Sequence, residues 1–162
     1  MALLQVPQSI IEENVFNALK EDIGDGDITA ELIPQDNISL ATVISREDCV
    51  FCGLDWFEET YRQVDPEILI DWCVDDGDRI EAGQVLCTLS GSSQKIVSGE
   101  RAALNFVQML SGTATLSAVY ADRIKDTDCK VLDTRKTIPG LRMAQKYAVS
   151  CGGCENHRIG LF

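Results

Sequence analysis

Residues 133–161 constrain the chain most strongly, because they place basic side chains around glycine turns in a segment that a hydrophobic core does not accept. The segment reads DTRKTIPGLRMAQKYAVSCGGCENHRIGL. Between positions 130 and 158, two acidic residues stand against six basic ones, namely Lys130, Arg135, Lys136, Arg142, Lys146 and Arg158. The whole chain carries a formal net charge of −12 and therefore repels nucleic acids and anionic membranes. Charge alone leaves two interpretations, a site for one small anion or a solvated basic face.

The composition is typical of a globular protein. With 162 residues, 45% of them hydrophobic, the chain has room for one domain, or for one domain and part of another. No apolar run reaches the roughly 18 residues that span a bilayer, and the first residues lack the features of a signal peptide. The seven cysteines are an odd number, which fits reduced thiols. We therefore expect a cytoplasmic protein without a membrane or nucleic-acid partner.

Two C-x-x-C pairs raise the question of a metal or redox site. They are Cys49/Cys52 and Cys151/Cys154, and His157 follows the second pair. About a hundred residues separate the pairs, which is far from the spacing of a zinc ribbon. We interpret these cysteines as small buried apolar residues and assign no metal ligands.

Hydrophobic periodicity predicts mixed helices and strands in the first half of the chain. Ser9 and Glu12 have the spacing of a capping box and predict a helix over residues 10–21. Residues rich in β-branched side chains predict strands over 38–45 and 67–74. Between the strands, the aromatic residues that follow Gly53 predict a short helix ending near Val64.

Two consecutive helices are predicted next. The first begins at the cap Ser98 and ends at Gly112. The second covers residues 113–125 and has four apolar residues that are predicted to face the interior: Leu116, Val119, Tyr120 and Ile124. Arg101 falls in the first turn of the first helix, where the helix dipole disfavours a cation. It either pairs with a nearby carboxylate or presents its guanidinium group to an anion.

The last part of the chain predicts a strand, a loop and a helix, an order typical of α/β proteins. The strand covers residues 129–132, the loop 133–137, and Pro139 opens the helix in its first turn. Ligands of parallel sheets bind at the carboxyl ends of strands, where Arg135 and Lys136 fall. His157 and Arg158 follow a glycine turn that can fold them back toward the same place. These cations suit a dicarboxylate, a phosphorylated sugar, or both.

Several longer motifs carry a resemblance to a known family. They are DTRKTIPGLR, KYAVSCGG and NHRIGL, together with the upstream strings GERAALNFVQMLSG, DDGDRIEAGQ and GDGDIT. The chain resembles the quinolinate phosphoribosyltransferase family, also called nicotinate-nucleotide pyrophosphorylase (carboxylating). The resemblance covers nearly the whole chain. It implies an α/β (α+β) fold, with an open α/β sandwich domain over residues 1–112 and the first part of a β/α barrel over residues 113–162.

The resemblance also implies a reaction and a set of site residues. The family transfers phosphoribosyl from phosphoribosyl pyrophosphate to quinolinate with loss of CO2, giving nicotinate mononucleotide and pyrophosphate. Magnesium accompanies the pyrophosphate donor and is not held by residues identified in this chain. Family members are homodimers, which implies that Arg101 acts in the site of the neighbouring subunit. The other implied substrate-binding residues are Thr134, Arg135, Lys136, His157 and Arg158, with Lys136 also catalytic.

The chain departs from the family pattern in two places. Cys154 stands where the family often has glycine or alanine, and family members continue beyond Phe162 through most of a barrel. We therefore expect residues 1–162 alone to be inactive. The alternatives are a phosphoribosyltransferase of the same fold that uses nicotinate, and a non-catalytic folding or dimerisation module.

Overall fold

A single helix of 32 residues runs through the middle of the molecule, where the sequence predicts two helices. The computed structural model describes residues 3–24 and 26–161. Its helices are α1 (Gln8–Ile23), α2 (Leu54–Val64), α3 (Ser93–Ile124) and α4 (Arg142–Cys151), with a 3₁₀ helix at Ala30–Leu32. Its strands are β1 (Ile38–Ile44), β2 (Cys49–Val50), β3 (Leu69–Trp72), β4 (Arg79–Ile80) and β5 (Val85–Ser92). Among the described residues, no helix combines the length and apolar character needed to cross a bilayer.

Helix α3 passes through Gly112, so the predicted end at this residue is wrong. A glycine inside a helix costs only about 1 kcal/mol relative to alanine, and burial of Leu110 and Ala114 on either side of it offsets that cost. The helix begins at Ser93, directly after β5, which leaves Ser98 inside it and not at its cap. The division proposed between residues 112 and 113 therefore lies within one continuous helix.

Two stripes of α3 pack against two hydrophobic cores. One stripe has a spacing of four residues and faces α1, α2 and α4; it consists of Ala102, Phe106, Leu110, Ala114 and Ala118. The other stripe includes Ile96, Ala103 and Val107 and lies against the core under the sheet. Because α3 contributes residues to both cores, it fixes the position of the sheet relative to α4.

The orientation predicted for the second half of α3 is wrong. Leu116, Val119 and Tyr120 are 60%, 47% and 53% exposed, whereas Ala114 and Ala118 are buried. The small residues face inward because α4 packs closely there through Ala144 and Ala148. The larger apolar side chains of this half of α3, Leu116, Val119 and Tyr120, are therefore exposed to solvent.

A three-stranded antiparallel sheet in the order β1-β5-β3 covers the second core. Its register pairs Thr42 and Asp71 with Thr88 on the central strand β5. The predicted strands over 38–45 and 67–74 are confirmed, although β3 is shorter than predicted. Strands β2 and β4 form a separate antiparallel pair. Its Val50 and Ile80 enter different cores.

Helix α1 starts without the predicted capping box. The helix begins at Gln8 with Pro7 in the cap position, so Ser9 already lies inside the first turn, and no side chain caps the helix. The Ile10 N–H instead donates to the Pro7 carbonyl at 2.9 Å. The helix itself is confirmed, with Ile11 and Val15 buried against α2 and α3.

The last predicted strand is reduced to one parallel bridge, between Leu132 and Glu155. The Glu155 N–H donates to the Val131 carbonyl at 2.9 Å, and the Asp133 N–H donates to the Glu155 carbonyl at 3.1 Å. These two bonds align the segments around Leu132 and Glu155 as neighbouring parallel strands. The residues that follow them, Asp133 and Asn156, therefore leave at the same edge.

Pro139 does not open α4 as predicted. The Leu141 N–H donates to the Ile138 carbonyl at 3.1 Å, and Gly140 has a φ of +80°. Proline in the second position and a glycine with positive φ in the third are the features of a type II turn. The turn delays the start of the helix to Arg142.

Gly152 provides a test of the close approach between α3 and α4. A Cβ at this position would lie 2.3 Å from the Ala114 carbonyl oxygen and 2.5 Å from the Ser117 Cβ. We expect Gly152→Ala to lower the free energy of unfolding by about 1–3 kcal/mol, because a packed interface tolerates added volume poorly. Urea unfolding followed by circular dichroism measures this change.

The matched control is Gly112→Ala in the same helix pair. Nothing lies within 4 Å of a Cβ added at Gly112, so this change should stabilise the chain by up to about 1 kcal/mol. Equal stability of the Gly152→Ala variant and the parent would contradict the packing described above.

Candidate functional site

A buried ion pair between Lys146 and Asp133 lies at the centre of the basic segment. The Lys146 Nζ is 2.6 Å from the Asp133 Oδ1, and the two side chains are 1% and 7% exposed. A buried pair is tolerated when further hydrogen bonds satisfy both charges. Lys146 also donates to the His157 carbonyl at 3.0 Å. Lys146 contributes to the positive charge of the segment in the sequence, but its ammonium group is buried and paired, so it is not available to a ligand.

Asp133 connects the two loops that leave the parallel bridge. Its Oδ1 accepts from the His157 backbone N–H at 2.7 Å, and its Oδ2 accepts from the Asn156 Nδ2 at 2.8 Å. Asn156 also donates to the Lys146 carbonyl at 2.8 Å. The loop after Leu132 and the loop after Glu155 are therefore fixed to each other and to α4.

Sequence reasoning did not single out Asp133, Lys146 and Asn156 as residues that build the site. The sequence did contain an indication of ion pairs, since Asp133 and Glu155 are the only acidic residues among the cations between Lys130 and Arg158. Both form ion pairs in the structure, Glu155 with Lys130 at 2.6 Å. Which lysine is buried depends on the packing of α4, which charge counting does not reveal.

The predicted site residues Thr134, Arg135 and Lys136 lie on the first loop. The Thr134 hydroxyl oxygen accepts from the Lys136 backbone N–H at 3.0 Å, which fixes a local turn. Lys136 is exposed and Arg135 is half-buried. Among the described residues, the Arg135 Nε is the one buried side-chain nitrogen or oxygen without a hydrogen-bond partner. Such an unsatisfied donor costs about 1–3 kcal/mol, which a bound acceptor would recover.

His157 and Arg158 lie on the second loop, beside the first. Both side chains are exposed, whereas the backbone of His157 is held by Asp133 and Lys146. Arg158 donates to the Leu161 carbonyl at 3.1 Å. The structure thus brings the two loops of predicted cations together at the carboxyl ends of neighbouring parallel strands, where α/β proteins bind ligands.

Arg142 at the start of α4 supports both loops. Its Nε donates to the Thr137 Oγ1 at 3.3 Å, and its Nη1 donates to the Ile159 carbonyl at 3.1 Å. Its guanidinium therefore spans the end of the first loop and the segment after the second. We interpret Arg142 as a residue that positions the loops.

The structure does not bring Arg101 into this group. Because α3 begins at Ser93, Arg101 lies in the third turn and not in the first turn as predicted. Its Nε is 3.5 Å from the Asp22 Oδ1 of α1, and its side chain is 77% exposed. An exposed pair of this length contributes little to stability. The guanidinium therefore remains accessible to another anion.

Two sequence models of one family match consecutive parts of the chain. The N-terminal domain of quinolinate phosphoribosyl transferase matches residues 27–111, and the C-terminal domain matches residues 113–162. The chain belongs to the quinolinate phosphoribosyltransferase family. The resemblance inferred from the motifs is thereby confirmed.

Curated relatives in this family are longer than the chain. Quinolinate phosphoribosyltransferase (decarboxylating) 1b of Nicotiana tabacum is 42% identical over 147 residues, which make up 90% of this chain and 41% of the relative. The probable nicotinate-nucleotide pyrophosphorylase (carboxylating) of Bacillus subtilis (strain 168) is 39% identical over 142 residues, or 88% and 49% of the two chains. The chain thus spans less than half the length of these relatives.

Solved structures confirm the α/β fold. The nicotinate-nucleotide pyrophosphorylase from Francisella tularensis superposes with a TM-score of 0.94 at 47% identity and covers 98% of this chain. NadC from Streptococcus pyogenes superposes with a TM-score of 0.93 at 34% identity, again over 98% of this chain. In both cases the match covers 56% of the other chain.

The buried ion pair gives a prediction with an internal control. Lys146→Met leaves Asp133 buried without its cation, and we expect the free energy of unfolding to fall by about 3–5 kcal/mol. Lys130→Met removes a pair of the same 2.6 Å length, but Lys130 is 66% exposed, so we expect a loss of about 0–1 kcal/mol.

Chemical denaturation of the two variants and the parent measures the difference. Similar losses for Lys146→Met and Lys130→Met would show that burial does not set the strength of the inner pair.

Proposed function

We propose that this chain forms part of the active site of an enzyme that transfers phosphoribosyl from phosphoribosyl pyrophosphate to quinolinate. The products are nicotinate mononucleotide, pyrophosphate and CO2. The observation that carries the proposal is the unpartnered Nε of Arg135, located on a loop of cations at the carboxyl edge of two parallel strands. A carboxylate or phosphate oxygen is the kind of acceptor that suits this guanidinium, and quinolinate supplies two carboxylates.

Arg135 is proposed to hold one carboxylate of quinolinate. Its Nε is already removed from water, so binding gains a charge-assisted hydrogen bond without a further desolvation cost at that atom. A planar guanidinium matches a carboxylate through two parallel bonds. The buried anchor at Asp133 keeps the loop from moving as the ligand binds, which lowers the entropy cost of orientation.

Lys136 is proposed to hold the second carboxylate and to be the catalytic residue of this loop. It offers a compact point charge on an exposed side chain. The Thr134 hydroxyl, which accepts from the Lys136 N–H, sets the direction in which the lysine leaves the backbone. Arg158 adds a guanidinium group and His157 an imidazole from the second loop. Together these groups fix a dianion in one pose, with its ring nitrogen free.

The chemistry follows from that pose. The ring nitrogen attacks the anomeric carbon of the ribose, and pyrophosphate leaves with the bonding electron pair. The ring nitrogen is then positively charged. When the neighbouring carboxylate departs as CO2, the electron pair left on the ring carbon is stabilised by this charge, and a proton replaces the carboxylate. The chain's contribution is orientation and removal of water from the dianion.

Magnesium is proposed to arrive with phosphoribosyl pyrophosphate, because the acidic residues at this edge do not fit a magnesium site. Asp133 is bound by Lys146, Asn156 and the His157 N–H, and Glu155 pairs with Lys130. Magnesium requires carboxylates whose negative charge is still available, and here a lysine ammonium group already neutralises each of the two. We assign no residue of this chain to the metal.

We also propose that the enzyme is a homodimer in which Arg101 reaches the site of the neighbouring subunit. Its high exposure and weak partner Asp22 support this role. A second support is the outer face of the sheet, where Ile38, Leu40 and Leu69 are 69%, 73% and 70% exposed. Exposed apolar patches of this kind are typical of protein interfaces.

The role of Arg135 is tested by quinolinate binding. We expect Arg135→Ala to weaken binding by about tenfold to a hundredfold, the equivalent of one charge-assisted contact of about 1.5–3 kcal/mol. Isothermal titration calorimetry with quinolinate measures the change. Arg46→Ala is the matched control, since Arg46 is exposed on a loop outside the site.

Equal affinity of Arg135→Ala and the parent would refute the assignment. Equal affinity of the parent for quinolinate and for nicotinate would favour a nicotinate-type enzyme, which binds one carboxylate.

A second prediction concerns turnover. We expect residues 1–162 alone to release no CO2 from carboxyl-labelled quinolinate in the presence of phosphoribosyl pyrophosphate and magnesium. The reason is that the chain spans 41% to 49% of the curated relatives and its own acidic residues at the site are paired. Measurable release above a control without phosphoribosyl pyrophosphate would contradict this expectation.

A further inference from the structure

Three side chains from distant parts of the sequence meet outside the quinolinate site. The Sγ of Cys52, the Sγ of Cys151 and a carboxylate oxygen of Asp76 lie within 4.8 Å of one another. Cys52 lies between β2 and α2, Asp76 lies in the turn between β3 and β4, and Cys151 is the last residue of α4. In residues 3–24 and 26–161, this is the one group of three such ligand types at this spacing.

The structure combines one cysteine from each C-x-x-C pair. Cys154 is directed elsewhere, with its Sγ donating to the Ser117 carbonyl at 3.2 Å. Cys49 contacts the Ser45 hydroxyl at 3.8 Å. The spacing of the two C-x-x-C pairs along the chain argues against a zinc ribbon, but it does not apply to a site that combines Cys52 with Cys151.

Asp76 is oriented by hydrogen bonds on both of its oxygens. Oδ1 accepts from the Gly53 N–H at 2.8 Å and from the Leu54 N–H at 3.2 Å, and Oδ2 accepts from the Tyr147 hydroxyl at 2.7 Å. These three donors hold the carboxylate in place and favour its ionised form, against the larger effect of burial, which raises the pKa of Asp76. Carboxylates that bind metals have this kind of supporting shell.

We propose that Cys52, Cys151 and Asp76 bind a divalent zinc-class cation. Two sulfur ligands select such a borderline-soft ion over magnesium or calcium. In a tetrahedral zinc site, bond lengths of about 2.3 Å to sulfur and 2.0–2.2 Å to oxygen place the ligand atoms roughly 3.5–3.8 Å apart. Since the three atoms lie within 4.8 Å of one another, each side of the triangle needs to contract by at most about 1.0–1.3 Å. Three protein ligands leave one position for water.

The exchange of protons for the metal balances in charge. Both thiols release a proton on binding, so that Zn²⁺ plus two R–SH and one carboxylate give a complex with two Zn–S bonds, one Zn–O bond and two free protons. The site carries one negative charge before binding and one after it. Cys52 is fully buried and Cys151 is 9% exposed. Metal binding therefore adds no net charge to this buried site.

The bound ion would link three parts of the fold. It would tie the segment before α2 and the β3–β4 turn to the end of α4, the helix that carries Lys146. Binding to the folded chain alone stabilises that chain by mass action. Zinc would therefore raise the melting temperature without any contact with the quinolinate site.

The test uses zinc alone with the reduced chain, freed of metal by a chelator. We expect one equivalent of Zn²⁺ to bind in competition with a chromophoric chelator, with two protons released per ion in calorimetry across buffers of different ionisation enthalpy. Co²⁺ in place of zinc should give thiolate-to-metal charge-transfer absorption. Cys52→Ser and Cys151→Ser should each weaken zinc binding by more than about a hundredfold, and Asp76→Asn by at least about tenfold.

Two cysteine variants serve as controls. Cys154→Ser removes a buried thiol of the same C-x-x-C pair, and Cys87→Ser removes a buried thiol of the other core. Both should keep the parent's zinc affinity. The absence of zinc binding by the parent would overturn the proposal whatever the variants do, and so would loss of binding in Cys154→Ser with retention in Cys151→Ser. Circular dichroism of each metal-free variant separates loss of a ligand from loss of the fold.

Discussion

The packing of α3 against two cores at once is the constraint on which the rest of the molecule depends. One stripe of small and medium residues, including Ala114 and Ala118, receives α4, and another stripe, including Val107, lies under the sheet. Because the helix is continuous from Ser93 to Ile124, a shift of the sheet would be transmitted directly to α4. The loops that carry the cations are therefore positioned by α4, which packs on this rigid helix, and by the hydrogen bonds of Asp133 and Asn156.

The basic residues of this segment fall into two groups, those that stabilise the loops and those that remain available to a ligand. Lys146 is buried and forms an ion pair that fixes the loops, whereas Lys136 stands exposed on one of them. Between these extremes, Arg135 has a buried Nε without a partner. Because the Arg135 Nε is already buried, a bound anion gains a hydrogen bond there without a further desolvation cost at that atom. This division supports the proposed role in quinolinate binding better than the net charge of the segment does.

Much of the fold was predictable because local patterns and tertiary packing agree. The helices containing Val15 and Phe57 and the strand containing Val43 follow from their periodicity. The predictions failed where packing overrode a local signal. Gly112 did not end a helix because its neighbours are buried on both sides, and Leu116 faces outward because only smaller residues fit against α4. At the site, the cations were predictable from charge and motif, but the buried pair that orders them was not.

The sequence by itself determined the family, the cationic loops and most of the helices and strands before α3, because each depends on residues that are close together in the chain. Only the tertiary structure decided which charges are used for structure and which remain available. Asp133 meets Lys146, and Cys52 meets Cys151, across separations in sequence that no local pattern encodes. Burial then sets the chemistry, because a charge removed from water must find a partner, whereas an exposed one remains free to bind a ligand.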